Sequence, residues 1–383
     1  MKKIAVLGIT GSIGASTVEV VRAHPDKFQI VLASAHTNQK KLFKLAQEFH
    51  IDHLVITSLE ANPDSHLLDD LRLYFGEKEL LQLITELDID IVLNAITGAA
   101  GLLSSLTTIR AQKDLALANK ESLVLAGHLI KKEMQKSRSR LLPVDSEHSA
   151  IFQCLASHRN SEIKKVILTA SGGPFRTLPL AEFSKITVAQ TLAHPTWSMG
   201  KKVTIDSATM MNKALEVIEA HWLFDLPYER IEAVLHQHSI IHSFLQFADG
   251  SILAQLSKPT MKLPILYALT HPQHIEADIV HTDILSLPPL EFAPLEKDRF
   301  PLFFLARKCG ETGGLLPTIM NAVNEAAISL FLAEKIHYTD IYRLIAAALE
   351  KENNIENPDL ETIITTNTEI HQKYLQDYKE YLN

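Results

Sequence analysis

The chain has 383 residues, of which 46% are hydrophobic and 21% are charged, and its formal net charge is −8 at pH 7. At about 150 residues per domain, this length indicates two or three globular domains, and the composition excludes a disordered chain, a coiled coil and a disulfide-stapled miniprotein. The mild negative charge disfavours nucleic acid as a partner, because an acidic surface repels phosphates. Cys154 and Cys309 are the two cysteines. They indicate a reducing compartment and provide no thiolate cage for zinc.

The first residues could be mistaken for a targeting segment. Met1-Lys2-Lys3 and the apolar run that follows resemble the start of a signal peptide, but the run ends at once in a glycine-rich segment with no cleavage site. A buried strand that leads into a glycine-rich turn explains these residues better. No stretch of about 18 apolar residues occurs, so we expect a cytoplasmic protein without signal or transit peptide and without a membrane partner.

The first 145 residues alternate apolar runs with segments of helical periodicity, which is typical of a parallel α/β sheet. Strands are predicted at residues 4–7, 30–33, 53–56, 89–93 and 141–144. Helices are predicted at residues 15–23, 39–49 and 66–75. We therefore expect a Rossmann-like domain over residues 1–145.

After residue 145 the predicted secondary structure changes from an α/β pattern to an α+β domain, a linker and a helical bundle. Residues 146–270 predict an α+β domain with a long loop and one strong helix at 208–224, and with strands at 165–169, 233–235 and 251–255. Residues 271–300 contain repeated prolines and no sustained period, which is typical of a linker. Residues 301–383 predict a helical bundle with helices at 302–308, 318–333, 338–351 and 359–382.

Two glycine-rich segments follow predicted strands. Residues 8–14 have the spacing G-x-x-G-x-x-G before the first helix, where glycines let the backbone approach a pyrophosphate at the helix N-terminus. A merely tight turn is the alternative for this segment. The small residues at 94–102 would let a dinucleotide cross the strand ends, although close helix–sheet packing explains them equally well.

Carboxylates follow the strand at 141–144. In an extended segment the side chains of Asp145 and Glu147 would point to one side, and their mutual repulsion would favour a divalent cation between them. Capping of a helix by Asp145 and Ser146, with Glu147 favoured by the helix dipole, is the alternative. The triplet alone favours capping.

The helix at 208–224 combines an apolar stripe with a polar cluster of Asn212, Lys213 and Glu216. A solvated face with a Lys–Glu pair is one explanation. The other is a site in which Ser207, Asn212 and Lys213 bind a phosphate and Glu216 supplies a third carboxylate. Oxygen ligands without His or Cys indicate Mg²⁺ or Mn²⁺.

Three loops add polar or unusual residues. Residues 171–175 (Ser-Gly-Gly-Pro-Phe) offer backbone N–H groups and a hydroxyl to an anion. Residues 194–200 place Trp197 and Met199 between a proline and a glycine, which suggests a lid over a ligand or else a packing anchor. Residues 119–122 (Asn-Lys-Glu-Ser) end a strand–loop unit on the expected cofactor side.

Taken together, these segments resemble the 1-deoxy-D-xylulose-5-phosphate reductoisomerase family over nearly the whole chain. Seven blocks occur in family order: Gly8-x-Thr10-Gly11-Ser12-Ile13-Gly14, residues 117–122 (LANKES), 143–148 (PVDSEH), 171–175 (SGGPF), 194–200 (HPTWSMG), 206–213 (DSATMMNK), and Asn321-Ala322-x-Asn324-Glu325. Any one block is weak evidence, but seven in order are specific.

The resemblance implies an NADPH-dependent oxidoreductase of the non-mevalonate isoprenoid pathway. Such an enzyme isomerises 1-deoxy-D-xylulose 5-phosphate by metal-dependent retro-aldol/aldol chemistry and then reduces the product to 2-C-methyl-D-erythritol 4-phosphate. It also implies a homodimer of the bacterial type, with no nucleic acid among its partners. Residues 1–145 would bind NADPH. Residues 146–270 would form the catalytic domain, with a mobile lid. The cation is Mg²⁺ or Mn²⁺, with Co²⁺ as a third candidate.

The resemblance also assigns residues to roles. The implied metal ligands are Asp145, Glu147 and Glu216. The implied catalytic residues are Lys120, Glu147 and His194. The implied substrate-binding residues are Ser146, Ser171, His194, Trp197, Ser207, Asn212, Lys213 and Glu216. The implied cofactor-binding residues are Gly8, Thr10, Gly11, Ser12, Ile13, Asn38, Asn119, Glu121 and Gly200.

The chain departs from the family pattern at three places. His36 and Thr37 replace the glycine and basic residue that usually follow the second strand, although Lys40 and Lys41 lie close. The other two departures are at residues 236–239 (His-Gln-His-Ser) and at Lys262, where the family usually has arginine. Two other functions stay open at this point. One is an NAD(P)-dependent dehydrogenase of another phosphorylated sugar, and the other is a non-catalytic NADP-sensing module.

Overall fold

A computed structural model describes residues 1–59, 72–156, 162–197 and 199–382. Its strands are β1 (Lys2–Leu7), β2 (Phe28–Ala35), β3 (His53–Ile56), β4 (Arg72–Phe75), β5 (Ile91–Asn94), β6 (Asp114–Leu117), β7 (Leu141–Pro143), β8 (Ile163–Ala170), β9 (Ile231–Leu235), β10 (Ile241–Phe247) and β11 (Ile252–Leu256).

Its α-helices are α1 (Ser12–Ala23), α2 (Gln39–Phe49), α3 (Glu77–Glu86), α4 (Leu102–Arg110), α5 (Lys120–Met134), α6 (Ser146–Leu155), α7 (Val188–Leu192), α8 (Lys201–Thr209), α9 (Met211–Phe224), α10 (Lys262–Thr270), α11 (Pro301–Thr312), α12 (Leu316–Leu332), α13 (Tyr338–Lys351), α14 (Leu360–Gln376) and α15 (Tyr378–Leu382).

The chain divides into two compact units. The first unit is made of Met1–Asn119, Ile130–Ser149 and Thr260–Thr282, and the second of Lys120–Leu129, Ala150–Pro259 and Asp283–Asn383. The four-part division expected from composition, with boundaries at 145, 270 and 300, stays a prediction. Helix α10 belongs to the first compact unit. There Lys262 pairs with Glu19, and the Lys2 Nζ donates to the Leu269 carbonyl at 2.8 Å.

The first unit is built on a seven-stranded parallel sheet of order β4-β3-β2-β1-β5-β6-β7. Residues 4–7 of β1 are completely buried, as expected for a central parallel strand covered on both faces. Apolar side chains of β1, β2, β3 and β5 form a core with those of α3. Because the chain builds outward from β1 to β4 and then returns to β5, the strand order reverses between β1 and β5.

One predicted element of this unit is wrong. Residues 72–75, placed at the end of a helix from 66 to 75, form β4 and pair with β3 in parallel; the rest of that predicted helix lies outside the described residues. Pairing with an adjacent strand has overridden the helical spacing of this Arg-Leu-Tyr-Phe segment. Strand β6 was not predicted, because its Asp-Leu-Ala-Leu sequence has no strand pattern and its place between β5 and β7 decides its conformation.

The second unit contains a four-stranded mixed sheet of order β11-β10-β8-β9 and the helical C-terminal region. Strand β10 was not predicted from the sequence. The helix predicted at 208–224 begins later, because Met210 has a left-handed backbone (φ 62°) that separates α8 from α9. Helix α8 occupies residues that we expected in a loop.

The C-terminal region is helical from α11 to α15, as predicted, although the helix expected at 359–382 breaks at Asp377. Helix α12 is buried on nearly all sides. The Tyr338 hydroxyl donates to the Ala208 carbonyl at 2.7 Å, which ties this region to α8. The predicted fold class is confirmed: α/β, with a Rossmann-like parallel sheet, a central α+β region and a C-terminal helical bundle. Within the described residues, no helix has the length and apolar character needed to cross a membrane.

Candidate active site

The glycine-rich turn after β1 needs glycine for two separate reasons. Gly8 has a positive φ of 78°, and a Cβ there would lie 2.8 Å from the Ala95 carbonyl oxygen. A Cβ on Gly14 would lie 2.3 Å from the Ile9 carbonyl oxygen, so α1 packs directly on the turn. Gly11 and Ser12 are exposed at the start of α1, where none of the described side chains caps the helix. The first N–H groups of α1 are therefore available to an anion.

This turn lies where a parallel sheet binds ligands. Gly8 follows β1, and the loop after Asn94 follows the neighbouring β5, so the two loops flank the reversal in strand order. Ligands of open α/β sheets bind in the crevice at such a point. Thr10 and Ile13 lie in this turn and at the start of α1, and their contact with a dinucleotide stays a prediction.

The second glycine-rich segment has a packing role. The Asn119 side chain is buried, and its Nδ2 donates to the carbonyl oxygens of Ile96 at 2.7 Å and Gly98 at 2.8 Å. A Cβ on Gly101 would lie 2.5 Å from the Asn119 Cγ. Close packing, the alternative offered for this segment, therefore explains Gly101, and Asn119 shapes the loop beside the crevice.

The end of β2 carries the residues that depart from the family pattern. His36 is exposed, and its Nδ1 lies 3.0 Å from the Thr57 Oγ1. The Asn38 Oδ1 caps α2 by accepting from the Lys41 backbone N–H at 3.1 Å. The Lys41 Nζ donates to the Thr10 carbonyl at 2.9 Å, which brings an ammonium to the glycine-rich turn, whereas Lys40 is exposed.

Asp145 and Glu147 lie at the start of α6 in the first unit. The extended conformation assumed for this triplet is wrong, because Ser146 begins the helix and the Ser149 N–H donates to the Asp145 carbonyl at 2.8 Å. The Asp145 Oδ1 accepts from the Ser146 N–H at 3.0 Å, so the capping alternative describes the local backbone. The Ser146 hydroxyl donates to the Glu147 Oε2 at 2.5 Å. It thereby orients the Glu147 carboxylate.

His148, for which we predicted no role, is completely buried in the same turn. Its Nδ1 lies 3.9 Å from the Asp145 Oδ2. The position of His148 three residues after Asp145 on a helix was the available signal, since such residues share a face.

The polar cluster on α9 belongs to the second unit and is not a solvated face. Lys213 is 4% exposed and Glu216 is 1% exposed, so the surface explanation is wrong. Their side chains form an ion pair, and the Asn212 Nδ2 donates to the Glu216 carboxylate. The Lys120 Nζ joins them, at 2.6 Å from the Asn212 Oδ1 and 3.6 Å from the Glu216 Oε1. Four predicted site residues therefore meet in one group, in which Lys120, Lys213 and Glu216 are buried and Asn212 is half-buried.

A second group in this unit is organised by His194. Its Nε2 lies 3.2 Å from the Ser171 Oγ and 3.1 Å from the Ser207 Oγ. Its Nδ1 accepts backbone N–H groups from Thr196 at 3.1 Å and from Trp197 at 2.9 Å. Because Nδ1 accepts twice, the neutral ring carries its hydrogen on Nε2, and burial lowers its pKa to about 4. The ring is a neutral donor between two hydroxyl groups.

The backbone beside this histidine suits an anion. Gly172 and Gly173 both have positive φ, 78° and 64°, and a Cβ on Gly173 would lie 3.0 Å from the Ala208 Cα. Successive N–H groups in such a turn can form a concave anion site. The helix predicted at 208–224 would have placed Ser207 at its start, which is wrong, because Ser207 lies in the last turn of α8.

The expected lid segment is described except for Ser198. Trp197 and Met199 are half-buried, and the Trp197 ring centroid lies 6.3 Å from that of His242. Gly200 caps the start of α8 and is exposed, with no atom within 4 Å of an added Cβ. Whether this segment moves stays a prediction.

Glu121, predicted to contact the cofactor, is buried against a lysine. The Lys202 Nζ lies 2.5 Å from the Glu121 Oε1 and 2.8 Å from the Asp206 Oδ2. Burial by itself would raise the pKa of Glu121, but Lys202 lowers it below the ordinary value. Lys202 and Asp206 were not among the predicted site residues, because a charged pair four residues apart on a helix is usually a surface feature.

Comparison with known proteins identifies the family. The family model described as 1-deoxy-D-xylulose 5-phosphate reductoisomerase matches residues 4–127, and two models of the C-terminal domains of this enzyme match residues 141–224 and 256–373. The chain belongs to the 1-deoxy-D-xylulose 5-phosphate reductoisomerase family. The reductoisomerase of Geobacillus kaustophilus is 47% identical over 95% of this chain and 96% of its own length. That of Clostridium acetobutylicum is 44% identical over 98% of this chain and 99% of its own.

Solved reductoisomerase structures have the same fold. A structure in complex with NADPH, fosmidomycin and magnesium is 37% identical to this chain, with a TM-score of 0.92, and covers 99% of this chain and 98% of its own. The Zymomonas mobilis enzyme in complex with NADPH is 38% identical, with a TM-score of 0.90 and 98% of both chains covered. The resemblance found in the sequence is confirmed, and so is the predicted enzyme class, an oxidoreductase.

Proposed function

We propose that the chain converts 1-deoxy-D-xylulose 5-phosphate to 2-C-methyl-D-erythritol 4-phosphate with NADPH and a divalent cation. The observation that carries the proposal is the hydrogen-bonded group of Lys120, Asn212, Lys213 and Glu216, whose three charged members are buried. Burial of the three charged side chains, those of Lys120, Lys213 and Glu216, costs free energy that a purely structural helix would avoid. A dehydrogenase of another sugar would not need a third carboxylate, and a sensing module would need no such group.

We assign the substrate phosphate to donors of the second unit. The Nε2–H of His194 and the hydroxyl groups of Ser171 and Ser207 are neutral donors close together. Lys213 adds a positive charge, and Asn212 adds an amide. Binding of the phosphate would keep the two substrate fragments in place after the carbon–carbon bond breaks, until they recombine. Trp197 and Met199 would limit the access of water to them.

Asp145, Glu147 and Glu216 are proposed as the ligands of the cation. All three are carboxylates, and the donor set contains no thiolate, which fits Mg²⁺ or Mn²⁺ better than zinc. When bound, such a cation would polarise the substrate carbonyl as a Lewis acid. Two of these carboxylates are oriented by Ser146. Its hydroxyl donates to Glu147, and its backbone N–H donates to Asp145.

NADPH is assigned to the turn after β1. The positive φ of Gly8 and the uncapped start of α1 fit a pyrophosphate at this position. Recognition of the 2′-phosphate is assigned to the start of α2, where Lys41 reaches the Thr10 carbonyl and Lys40 lies exposed. Lys120 and Ser146 would contact the substrate near the nicotinamide.

The chain is also proposed to form a homodimer through β11. This strand is an edge of the four-stranded sheet, and Ile252, Leu253 and Leu256 are 53%, 41% and 38% exposed. An exposed apolar edge strand tends to pair with another chain. A second copy of this chain is the proposed partner, and Ile252→Lys should shift the mass in solution toward the monomer without loss of NADPH binding. A monomeric wild type would refute this assignment.

A cytoplasmic location is proposed from the cysteines. Cys154 and Cys309 are both free thiols, and Cys309 is buried. Free thiols are typical of proteins in a reducing compartment. Secretion of the folded protein to an oxidising medium would contradict the assignment.

The test of the function is product identification. The purified protein is incubated with 1-deoxy-D-xylulose 5-phosphate, NADPH and Mg²⁺, NADPH oxidation is followed by absorbance, and the product is identified by NMR. We expect the branched polyol phosphate, loss of turnover in EDTA and recovery with Mg²⁺. NADPH oxidation that yields an unbranched product, or that is indifferent to EDTA, would refute the proposal.

A further inference from the structure

A largely buried network of charged and amide side chains lies among helices of the second unit. Its centre is Lys202 on α8, whose Nζ lies between the Glu121 carboxylate on α5 and the Asp206 carboxylate on its own helix. The exposed fractions of the three side chains are 15%, 5% and 2%. The Asn324 Nδ2, from α12, donates to the remaining Asp206 oxygen, Oδ1, at 2.8 Å. We call these four residues the Lys202 network.

Residues of the C-terminal sequence block at 321–325 take part in these contacts. The Asn324 amide binds the Asp206 carboxylate oxygen that Lys202 does not contact. Asn321, one turn earlier, donates to the Glu325 carboxylate at 2.9 Å. Although burial would lower the pKa of Lys202, Asp206, Glu121 and Glu325 raise it above its ordinary value, so Lys202 is charged. The Lys202 ammonium thus joins α5 to α8, and the bond from Asn324 to Asp206 adds α12.

Each end of the network adjoins a residue of the proposed active site. Glu121 directly follows Lys120, whose Nζ donates to the Asn212 Oδ1 at 2.6 Å. Asp206 directly precedes Ser207, whose Oγ lies 3.1 Å from the His194 Nε2. A shift of α5 against α8 would therefore move Lys120 away from the phosphate donors.

We propose that Lys202 is a positioning residue that fixes Lys120 relative to Ser207 by holding Glu121 and Asp206 together. Without the ammonium, two buried carboxylates would face each other and repel. The start of α5 would then move away from α8. The part of the proposal that concerns turnover rests on the proposed function, whereas the placement of Lys120 does not.

The test compares Lys202→Met with Lys202→Arg, which keeps the charge, and with Asn324→Ala, which removes only the amide. Ser329→Ala, exposed on α12, is the matched control. Two quantities are measured: the rate at which limiting acetic anhydride modifies Lys120, followed by mass spectrometry, and kcat per NADPH-binding site, counted by fluorescence titration. Counting sites removes the contribution of unfolded protein.

In Lys202→Met we expect acetylation of Lys120 to be about tenfold faster, because the ammonium leaves its buried position more often. We expect kcat per site to fall at least about 100-fold, the typical effect of a misplacement of about 1 Å. Lys202→Arg should recover part of both quantities. Asn324→Ala should change both in the same direction by smaller factors, and Ser329→Ala should match the wild type.

The proposal is overturned if Lys120 in Lys202→Met reacts at the wild-type rate or if kcat per site stays within about threefold of the wild type. If Lys202→Met does not fold, the same two measurements are made on Lys202→Arg and Asn324→Ala. A wild-type acetylation rate and a wild-type kcat per site in Asn324→Ala would then overturn the proposal. A wild-type protein without reductoisomerase turnover would refute the proposed function. In that case the acetylation rates would still decide the role of Lys202.

Discussion

Replacement of Gly14 by alanine tests whether α1 must pack directly on the turn after β1 in order to bind NADPH. The added Cβ would lie 2.3 Å from the Ile9 carbonyl oxygen, whereas ordinary contacts begin at 3.4 Å, so α1 must move by about 1.1 Å. Alanine favours a helix over glycine by about 1 kcal/mol, but overpacking costs about 1–3 kcal/mol. We expect a net loss of about 1 kcal/mol in the free energy of unfolding.

The effect on NADPH should exceed the effect on stability. A displacement of this size would break or stretch a hydrogen bond between the start of α1 and the pyrophosphate, and such charge-assisted bonds contribute about 1.5–3 kcal/mol. The Kd for NADPH should therefore rise about 10- to 100-fold. Fluorescence titration of NADPH measures the Kd, and urea unfolding measures the stability.

Arg22→Ala provides a control on the same helix. Arg22 pairs with Glu48 at the surface, where the side chains are 51% and 36% exposed, so its loss should cost at most about 1 kcal/mol. It should leave the Kd unchanged. If Gly14→Ala binds NADPH with a Kd within about threefold of the wild type, the reasoning about the helix N-terminus is refuted.

Three further predictions concern charge. Glu216→Gln keeps the shape of the side chain but removes one proposed metal ligand, so kcat/KM at fixed Mg²⁺ should fall at least about 100-fold; an equal fall in the exposed control Glu361→Gln would contradict this role. Because the native pKa of His194, about 4, lies below its unfolded value, protonation favours the unfolded state, and stability should fall as pH drops from 6.5 toward 4. The loss should be about 1–2 kcal/mol after allowance for solvent screening, and His194→Gln should lack it when urea unfolding is measured at both pH values. Replacement of both Lys40 and Lys41 by alanine should raise the KM for NADPH and leave that for NADH nearly unchanged; full retention of the wild-type selectivity would show that neither lysine contacts the 2′-phosphate.

Local patterns predicted most of the fold. Helix α2, strand β3 and helix α13 have the bounds expected from periodicity, because each is an amphipathic or buried segment whose pattern is complete within itself. The turn at residues 8–14 was also predictable, since the need for glycine there arises from the turn and from a helix adjacent in sequence. The resemblance to a family was visible for a similar reason. It rests on short blocks that can be read without knowledge of contacts.

The tertiary structure alone decided which polar residues are buried together. The sequence of α9 is compatible with a solvated Lys213–Glu216 pair, and only the packing around the helix makes this pair inaccessible to water. The left-handed Met210 that separates α8 from α9 has no local signal of the kind a glycine provides. The Lys202 network joins residues more than 80 positions apart. Burial and long-range pairing depend on which segments meet in three dimensions, and the residue types at 121, 202 and 324 could not indicate that by themselves.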